Sequence, residues 1–217
     1  MRVLIACEES QTVCKEFRAR GHEAFSCDIQ ECSGGRPEWH IRQNVLPILR
    51  GGYWFRTEDG ERHEVESWDL IIAHPPCTYL STVSNRHFVE ATNGAKAAGR
   101  YFDRIDAIRF FMEFALCGAE KVAIENPVGI MSGVYRKPDQ IIEPYEFGDP
   151  FEKRTCLWLR NLKPLEPTNI VEPEPRQVLS SGKTMPPWYS RTGKKNRSKD
   201  RSKTFPGIAK AMAEQWG

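Results

Sequence analysis

The hydrophobic positions near the start of the chain predict a strand, a helix and a second strand. Residues 3–6 form a short apolar run, and Ser10 is placed to cap the helix that follows it. Gly21 suits the position just after the end of that helix, because glycine adopts the left-handed conformation there at little cost. Residues 22–27 then predict the second strand, which closes on Asp28.

Later segments continue this alternation of strands and helices. Continuous apolar runs indicate strands that are covered on both faces, as in a parallel sheet, whereas apolar residues at spacings of three and four indicate helices. The predicted elements are strands at 69–73, 121–125, 141–142 and 155–159 and helices at 100–117 and 208–216. Strands alternating with helices predict an α/β fold, with a mostly parallel sheet and helices on both faces.

Two segments depart from this alternation. Residues 50–67 predict a hairpin insertion at the periphery of the sheet, because apolar stretches flank the turn-forming sequence Glu58-Asp59-Gly60. Residues 160–203 are rich in proline and charge and show no clear period. The length of 217 residues allows one α/β domain, so we treat residues 1–217 as a single domain.

The charge is spread unevenly along the chain. The net charge is only +2, yet residues 191–203 hold seven basic residues and one acid. A basic stretch of this kind suits contact with phosphates, and residues 160–203 are therefore predicted to form a short, loop-rich segment that contacts nucleic acid. A solvated loop is the alternative.

The cysteines and the apolar runs exclude several classes of protein. The seven cysteines include no Cys-x-x-Cys pair, so no metal site is predicted. No run approaches the roughly 18 apolar residues that a membrane span needs, and the chain begins directly with a strand rather than a signal peptide. We therefore expect a cytoplasmic protein without disulfides and without a membrane partner.

Two short sequences carry candidate chemistry. In a sheet of this class, ligands bind beyond the carboxyl ends of the strands. One predicted strand ends at His74-Pro75-Pro76-Cys77, where the prolines restrict the backbone and can hold a thiol in a fixed position. The next long strand ends at Glu125-Asn126-Pro127, where a carboxylate closes a buried run. The alternatives are a buried cysteine beside a proline turn and a glutamate emerging into solvent.

This pair of sequences resembles the two catalytic motifs of cytosine-5 DNA methyltransferases, and most closely those of the short branch encoded by phages and prophages. The resemblance covers residues 3–11, 25–28, 68–81, 122–128, 147–159 and 203–217. It implies a Rossmann-like methyltransferase fold, S-adenosylmethionine as cofactor and DNA as substrate, with the target cytosine flipped out of the duplex. The implied catalytic residues are Cys77, Glu125, Asn126 and Arg154. The implied cofactor-binding residues are Ala6, Cys7, Glu8, Ser10, Asp28, Asn44 and Pro75.

The chain departs from that family in three places. The glycine-rich loop after the first strand is replaced by residues 6–11, in which Glu8 and Glu9 either address the positive charge of the cofactor or are exposed acids at a helix start. The usual glutamine/arginine motif is reduced to residues 151–155, which contain Arg154. The larger members of the family carry a long target-recognition region, for which at most residues 160–203 could serve here. Either a short segment recognises the target with relaxed specificity, or a protein partner supplies the specificity.

The sequence also allows two other functions. The sequence around Cys77 also resembles the Asp/Asn-Pro-Pro-Tyr motif of exocyclic-amine methyltransferases, although His74 stands at its first position and Cys77 at its last. A nucleic-acid-binding protein without catalytic activity, built on the same scaffold, is the second alternative. Binding of S-adenosylmethionine separates this second alternative from an enzyme.

Overall fold

The computed structural model describes residues 1–89, 93–188 and 203–217. The strands in this part of the chain are β1 (Arg2–Ala6), β2 (Glu23–Asp28), β3 (His40–Arg42), β4 (Tyr53–Arg56), β5 (Arg62–Val65), β6 (Leu70–Ala73), β7 (Lys121–Pro127), β8 (Gln140–Ile142), β9 (Thr155–Arg160), β10 (Gln177–Val178) and β11 (Thr184–Met185). The α-helices are α1 (Thr12–Ala19), α2 (Ala95–Leu116), α3 (Met131–Val134) and α4 (Pro206–Trp216). Short 3-10 helices lie at Pro37–Trp39, Leu46–Ile48, Thr82–Phe88 and Pro144–Glu146.

Seven strands form a central sheet in the order β3-β2-β1-β6-β7-β9-β8. The neighbours from β3 to β7 are parallel, whereas β9 is antiparallel to both β7 and β8. The chain moves outward from β1 in one direction through β2 and β3, and later in the other direction through β6 and β7. The predicted α/β fold with a mostly parallel sheet is therefore confirmed, although β3 was not predicted.

Helices cover both faces of the sheet, as the alternation of side chains along β1 requires. Val3 and Ile5 belong to the apolar cluster that includes residues of α1 and α4. Leu4 and Ala6 belong to the cluster on the opposite face, which includes residues of α2. The sheet is thus the middle of three layers, and its strands carry apolar residues on both sides.

β4 and β5 pair as an antiparallel hairpin around Asp59-Gly60, where Gly60 has a φ of 96°. The hairpin contributes to the core, because the rings of Phe55 and Phe25 lie 5.1 Å apart between centroids and Trp68 packs against both. This contact attaches the hairpin to β2.

The start of α1 corrects the expectation that Ser10 caps this helix. The residue before the helix is Gln11, which has a left-handed backbone and makes no capping hydrogen bond with its side chain. The Glu8 carboxylate accepts hydrogen bonds from the backbone N–H groups of Val13 at 2.6 Å and Cys14 at 3.2 Å. Glu8 therefore supplies the hydrogen-bond acceptors for these free N–H groups of the first turn, a role that was expected of Ser10.

We expect Glu8→Ala to lower the free energy of unfolding by about 1–2 kcal/mol, because it removes both acceptors from the first turn of α1. Ser10→Ala is the matched control, since the Ser10 hydroxyl forms a hydrogen bond with the Thr12 hydroxyl at 3.0 Å rather than with the backbone N–H groups that Glu8 accepts from. Urea denaturation followed by circular dichroism measures both variants. Equal losses in the two variants would contradict the role of Glu8.

Three expectations concern surfaces and ligands rather than the sheet. The basic run 191–203 lies outside the described residues except for Lys203. In the described ranges, no three His, Cys, Asp or Glu side chains are grouped so that they could hold a metal ion. No helix in the same ranges is long and apolar enough to cross a membrane.

Candidate functional site

The carboxyl ends of β1, β6 and β7 meet at one edge of the sheet. Ala6 pairs with Ala73, and Ala73 pairs with Ile124. His74 directly follows the end of β6 and Glu125 follows Ile124 on β7, so the register brings the two residues side by side. The His74 backbone N–H donates to the Ala6 carbonyl at 2.9 Å, which holds the ends of β1 and β6 together.

His74 and Glu125 form a largely buried pair at this edge. The distance from His74 Nδ1 to Glu125 Oε2 is 3.2 Å, and the two side chains are 6% and 14% exposed. The other ring nitrogen, His74 Nε2, is buried and has no hydrogen-bond partner within the described part of the chain. Sequence reasoning gave His74 no role at the site. The signal that could have identified His74 is its position: it directly follows the apolar run of β6, just as Glu125 follows the apolar run of β7.

The loop that carries Cys77 is held from two sides. The Asn126 side-chain amide donates to the Pro75 carbonyl at 2.7 Å, and the Cys77 carbonyl accepts from the backbone N–H groups of Leu80 and Ser81 at 3.0 Å each. Gly129 lies so close to the loop that an added Cβ would be 2.2 Å from the Leu80 carbonyl oxygen. Asn126 therefore acts here by positioning the loop, and Gly129 permits the close approach.

Cys77, Glu125 and Lys153 influence one another electrostatically. Burial raises the pKa of the Cys77 thiol, the Glu125 carboxylate raises it further and the Lys153 ammonium lowers it. Burial alone would raise the pKa of Glu125, but the hydrogen bond with His74 and the charge of Lys153 outweigh it, and the net pKa is lowered. The free protein near neutral pH thus carries a thiol at Cys77 and a carboxylate at Glu125.

Lys153, rather than Arg154, supplies the positive charge at this site. Arg154 is exposed, and its charge acts on Glu143 and Cys156 instead. The sequence motif led to Arg154 because an arginine was expected from the family. A contact of Arg154 with the target base stays a prediction.

We expect Lys153→Gln to slow alkylation of Cys77 by iodoacetamide about tenfold at neutral pH. An opposite charge lowers a pKa by about 1–3 units, and below the pKa each unit changes the thiolate fraction tenfold. Peptide-resolved mass spectrometry separates Cys77 from the other cysteines. Arg154→Gln is the control, and an equal effect in that variant would contradict the assignment.

The loop between β1 and α1 makes a tight turn without glycine. Cys7 and Gln11 have positive φ values of 61° and 59°, a conformation that costs a non-glycine residue about 1–2 kcal/mol. The backbone N–H groups of Cys7 and Glu8 both donate to the Cys27 carbonyl, at 2.7 and 3.2 Å. A loop with a strained backbone, which lies against the end of β2, therefore takes the place of a glycine-rich loop.

Several side chains predicted to bind the cofactor already have partners in the chain. Glu8 is buried and caps α1, which excludes the expectation of an exposed acid; Glu9 is buried as well. Asp28 ends β2 as predicted, and its Oδ1 accepts from the Gln30 backbone N–H at 2.9 Å. Asn44 is exposed, and its Oδ1 accepts from the Leu46 N–H at 3.0 Å. Burial raises the pKa of the Cys7 thiol well above its usual value, and Asp28 and Cys27 add to this rise.

Comparisons with known proteins give one distant structural match. No family model and no curated protein matches the chain. Among solved structures, a proposed DNA modification methyltransferase encoded within a prophage of E. coli is 14% identical, with a TM-score of 0.46. The match covers 79% of this chain and 52% of that one, so this chain spans about half the length of the neighbour. A likeness at this level carries no inference about function, which has to rest on the residues of the chain itself.

Proposed function

We propose that this protein is an S-adenosylmethionine-dependent DNA methyltransferase that acts on C5 of cytosine, with Cys77 as the nucleophile. The observation that carries the proposal is that Cys77 follows β6 and Glu125 lies on the neighbouring strand β7, and that the charges of Glu125 and Lys153 both act on the Cys77 thiol. The proposed reaction needs a nucleophile, a group that forms hydrogen bonds with the target base and a positive charge, and these three residues supply them. The strand order is compatible with a Rossmann-like methyltransferase fold.

The residues beside this cluster fit S-adenosylmethionine. The chain reverses its direction of progress across the sheet between β1 and β6, which is where open α/β sheets bind nucleotide-like ligands. Asp28 ends β2 next to this point and suits a ribose, and the backbone of residues 6–10 suits the remainder of the cofactor. The unpartnered His74 Nε2 is a buried polar atom at the same edge. When bound, S-adenosylmethionine supplies an electrophilic methyl group.

Cys77 performs the nucleophilic step of the proposed reaction. The Cys77 thiol loses its proton to solvent, the thiolate sulfur forms a bond to C6 of a flipped cytosine, and the electron pair of the C5–C6 double bond becomes available at C5. After C5 has been methylated and has lost its proton to a base, the bond from sulfur to C6 breaks and the double bond forms again. Lys153 favours the thiolate that begins this sequence and opposes the negative charge that the addition places on the ring.

Glu125 and His74 act on the cytosine ring in this proposal. Because the pKa of Glu125 is lowered, its carboxylate is ready to accept a hydrogen bond from the exocyclic amino group of cytosine. A proton needed at N3 during the addition comes from solvent through Glu125, whose carboxylate is held by the His74 ring with 3.2 Å between Nδ1 and Oε2. Asn126 acts indirectly, since it holds the loop through the Pro75 carbonyl.

One observation favours methylation of an exocyclic amine as a second candidate. His74 stands where amine methyltransferases of the Asp/Asn-Pro-Pro-Tyr type carry a side-chain acceptor. When the neutral ring donates from Nδ1 to Glu125, the buried Nε2 is left as an acceptor, and it has no partner among residues 1–89, 93–188 and 203–217. Such an enzyme needs no nucleophile, so Cys77 separates the two candidates.

Nucleoside mass spectrometry of DNA incubated with the protein and S-adenosylmethionine tests the proposal. We expect 5-methylcytosine. N4-methylcytosine or N6-methyladenine would replace the proposal by the second candidate. If none of these three methylated bases forms and S-adenosylmethionine does not raise the melting temperature of the protein, the protein is not a methyltransferase. Binding of nucleic acid without catalysis is then the remaining function.

A further inference from the structure

We propose that a cleft beside α1 binds phosphate groups, at a site separate from the one that carries Cys77. The cleft has a volume of about 680 Å³ and lies between α1, the turn before β2 and the segment that leads into β3. Two sources share this chemistry, the backbone of DNA and a free nucleotide or polyphosphate. The inference goes beyond the proposed function, because it assigns a second binding site that needs no methyl transfer. The cleft is lined chiefly by Lys15, Arg18, Gly21, His22, Arg36 and Trp39.

The cleft is remote from the edge of the sheet that carries the proposed reaction. Gly21 and His22 precede β2, and Trp39 directly precedes β3, so these residues lie toward the amino ends of the two strands. Cys77 and Glu125 lie at the carboxyl ends of β6 and β7. β2 has six residues, and at about 3.3 Å per residue its length amounts to about 20 Å. A phosphate group in the cleft therefore lies out of reach of Cys77 and Glu125.

Arg18 is held with its guanidinium at the wall of the cleft. β3 pairs with β2 only from Ser26 onward, and before that point the Arg18 Nε donates to the Ala24 carbonyl at 2.6 Å. The guanidinium carbon lies 4.7 Å from the centre of the Phe25 ring and 5.3 Å from that of Trp39. The two terminal nitrogens of Arg18 make no hydrogen bond within the described residues, so their donors are available to a ligand.

Arg36 and Lys15 bring two further positive charges to the same cleft. The Arg36 guanidinium carbon lies 4.9 Å from the centre of the Trp39 ring, and that ring packs against the apolar cluster that includes residues of α1 and α4. Stacking on an aromatic ring orients a guanidinium without using its hydrogen-bond donors. Lys15 lies on α1, and its Nζ donates to the Gly34 carbonyl at 2.5 Å. The cations are therefore placed by contacts with the rest of the domain.

Carboxylates do not cancel these charges. Among the described residues, no Asp or Glu lines the cleft. Glu38 lies beside it and pairs with Arg36 at 3.4 Å, but both side chains are largely exposed, and an exposed pair of this kind is weak enough for a phosphate to replace the carboxylate. The acids next to lining residues in the chain pair with arginines outside the cleft: Glu16 with Arg20 at 2.9 Å and Glu23 with Arg2 at 3.5 Å.

The charge of the cleft matches a phosphate. Burial lowers the pKa of His22, and the charges of the amino terminus and Arg20 lower it further, so the His22 ring is counted as neutral. The three cations of the cleft are then opposed by Glu38 alone. A phosphate brings negative charge and several acceptor oxygens, and the planar guanidinium groups are suited to donate to two of these oxygens at once.

Isothermal titration calorimetry with inorganic pyrophosphate at constant ionic strength tests the cleft. We expect Arg36→Gln to weaken binding about tenfold, because it removes a charge-assisted contact. Arg18→Gln should have the same effect, and Arg36→Gln keeps the test valid if the loss of the Arg18 contacts unfolds the chain. Arg109→Gln is the matched control, since Arg109 is also exposed and forms an ion pair of 3.4 Å with Asp106, but on α2 at the opposite face of the sheet.

Fluorescence anisotropy with a labelled DNA duplex separates the two sources of phosphate. If the DNA backbone occupies the cleft, Arg36→Gln should reduce the slope of log affinity against log salt by about 0.9, the value for one phosphate contact on a duplex. Weaker pyrophosphate binding with an unchanged slope identifies a free nucleotide or polyphosphate as the ligand. If Arg36→Gln behaves like Arg109→Gln in both measurements, the cleft binds no phosphate and the inference is overturned. Neither measurement involves S-adenosylmethionine or methylated bases, so this inference and the proposed function fail independently.

Discussion

Cys77→Ser is expected to abolish DNA methylation and to prevent formation of a covalent complex with DNA containing 5-fluorocytosine. In the wild-type protein, fluorine at C5 cannot leave as the proton does, so the bond from Cys77 to C6 persists. A serine hydroxyl is a far weaker nucleophile than a thiolate, and we expect a loss of at least about 10⁴-fold in rate. Denaturing electrophoresis in the presence of S-adenosylmethionine detects the complex.

Cys32→Ser is the control for this experiment. Cys32 is also free and partly exposed, but it lies in the loop after β2 near Glu58. This variant should methylate DNA and form the covalent complex at the wild-type level. Methylation by Cys77→Ser at the wild-type rate would reject the C5 mechanism and favour the exocyclic-amine candidate. A covalent complex without methylated product on ordinary DNA would indicate a different modification at C5.

Glu125→Gln is expected to reduce the rate of covalent complex formation about 100-fold or more, because it removes a group that delivers a proton to the ring. The amide keeps the size of the side chain but cannot pass a proton to N3. Single-turnover kinetics with 5-fluorocytosine DNA measure this step without the later elimination. Glu120→Gln is the control, since Glu120 lies before β7 at the opposite end of the strand. An unchanged rate in Glu125→Gln would contradict the proposal that Glu125 delivers a proton to the ring.

The pH dependence of His74→Gln tests the pairing separately. Part of the lowering of the Glu125 pKa comes from His74, so the variant should have a higher pKa at Glu125. A carboxyl group with a lowered pKa stabilises the folded state above its unfolded value of about 4.3, and that contribution is lost as pH falls through the folded pKa. The variant should therefore lose less stability than the wild type on acidification. The same acid sensitivity in both proteins would contradict the pairing.

Much of the fold follows from local patterns in the chain. Continuous apolar runs identified β1, β6 and β7, because strands buried on both faces cannot alternate with polar residues. The spacing of apolar residues identified α2 and α4, and Gly21 ended α1 as predicted, with a φ of 81°. β3 has only three residues, which is too short for a periodic signal, and its position depends on pairing with β2.

The sequence by itself determined which strands end in chemically active residues, since Cys77 and Glu125 follow apolar runs whatever their partners are. Only the tertiary structure decided which side chains face them. The register of β6 and β7 joined His74 to Glu125, the packing of the segment before β9 let the charge of Lys153 act on Cys77, and the capping of α1 occupied Glu8. These outcomes depend on contacts between residues far apart in the chain, and a pattern read along the chain contains no information about such contacts.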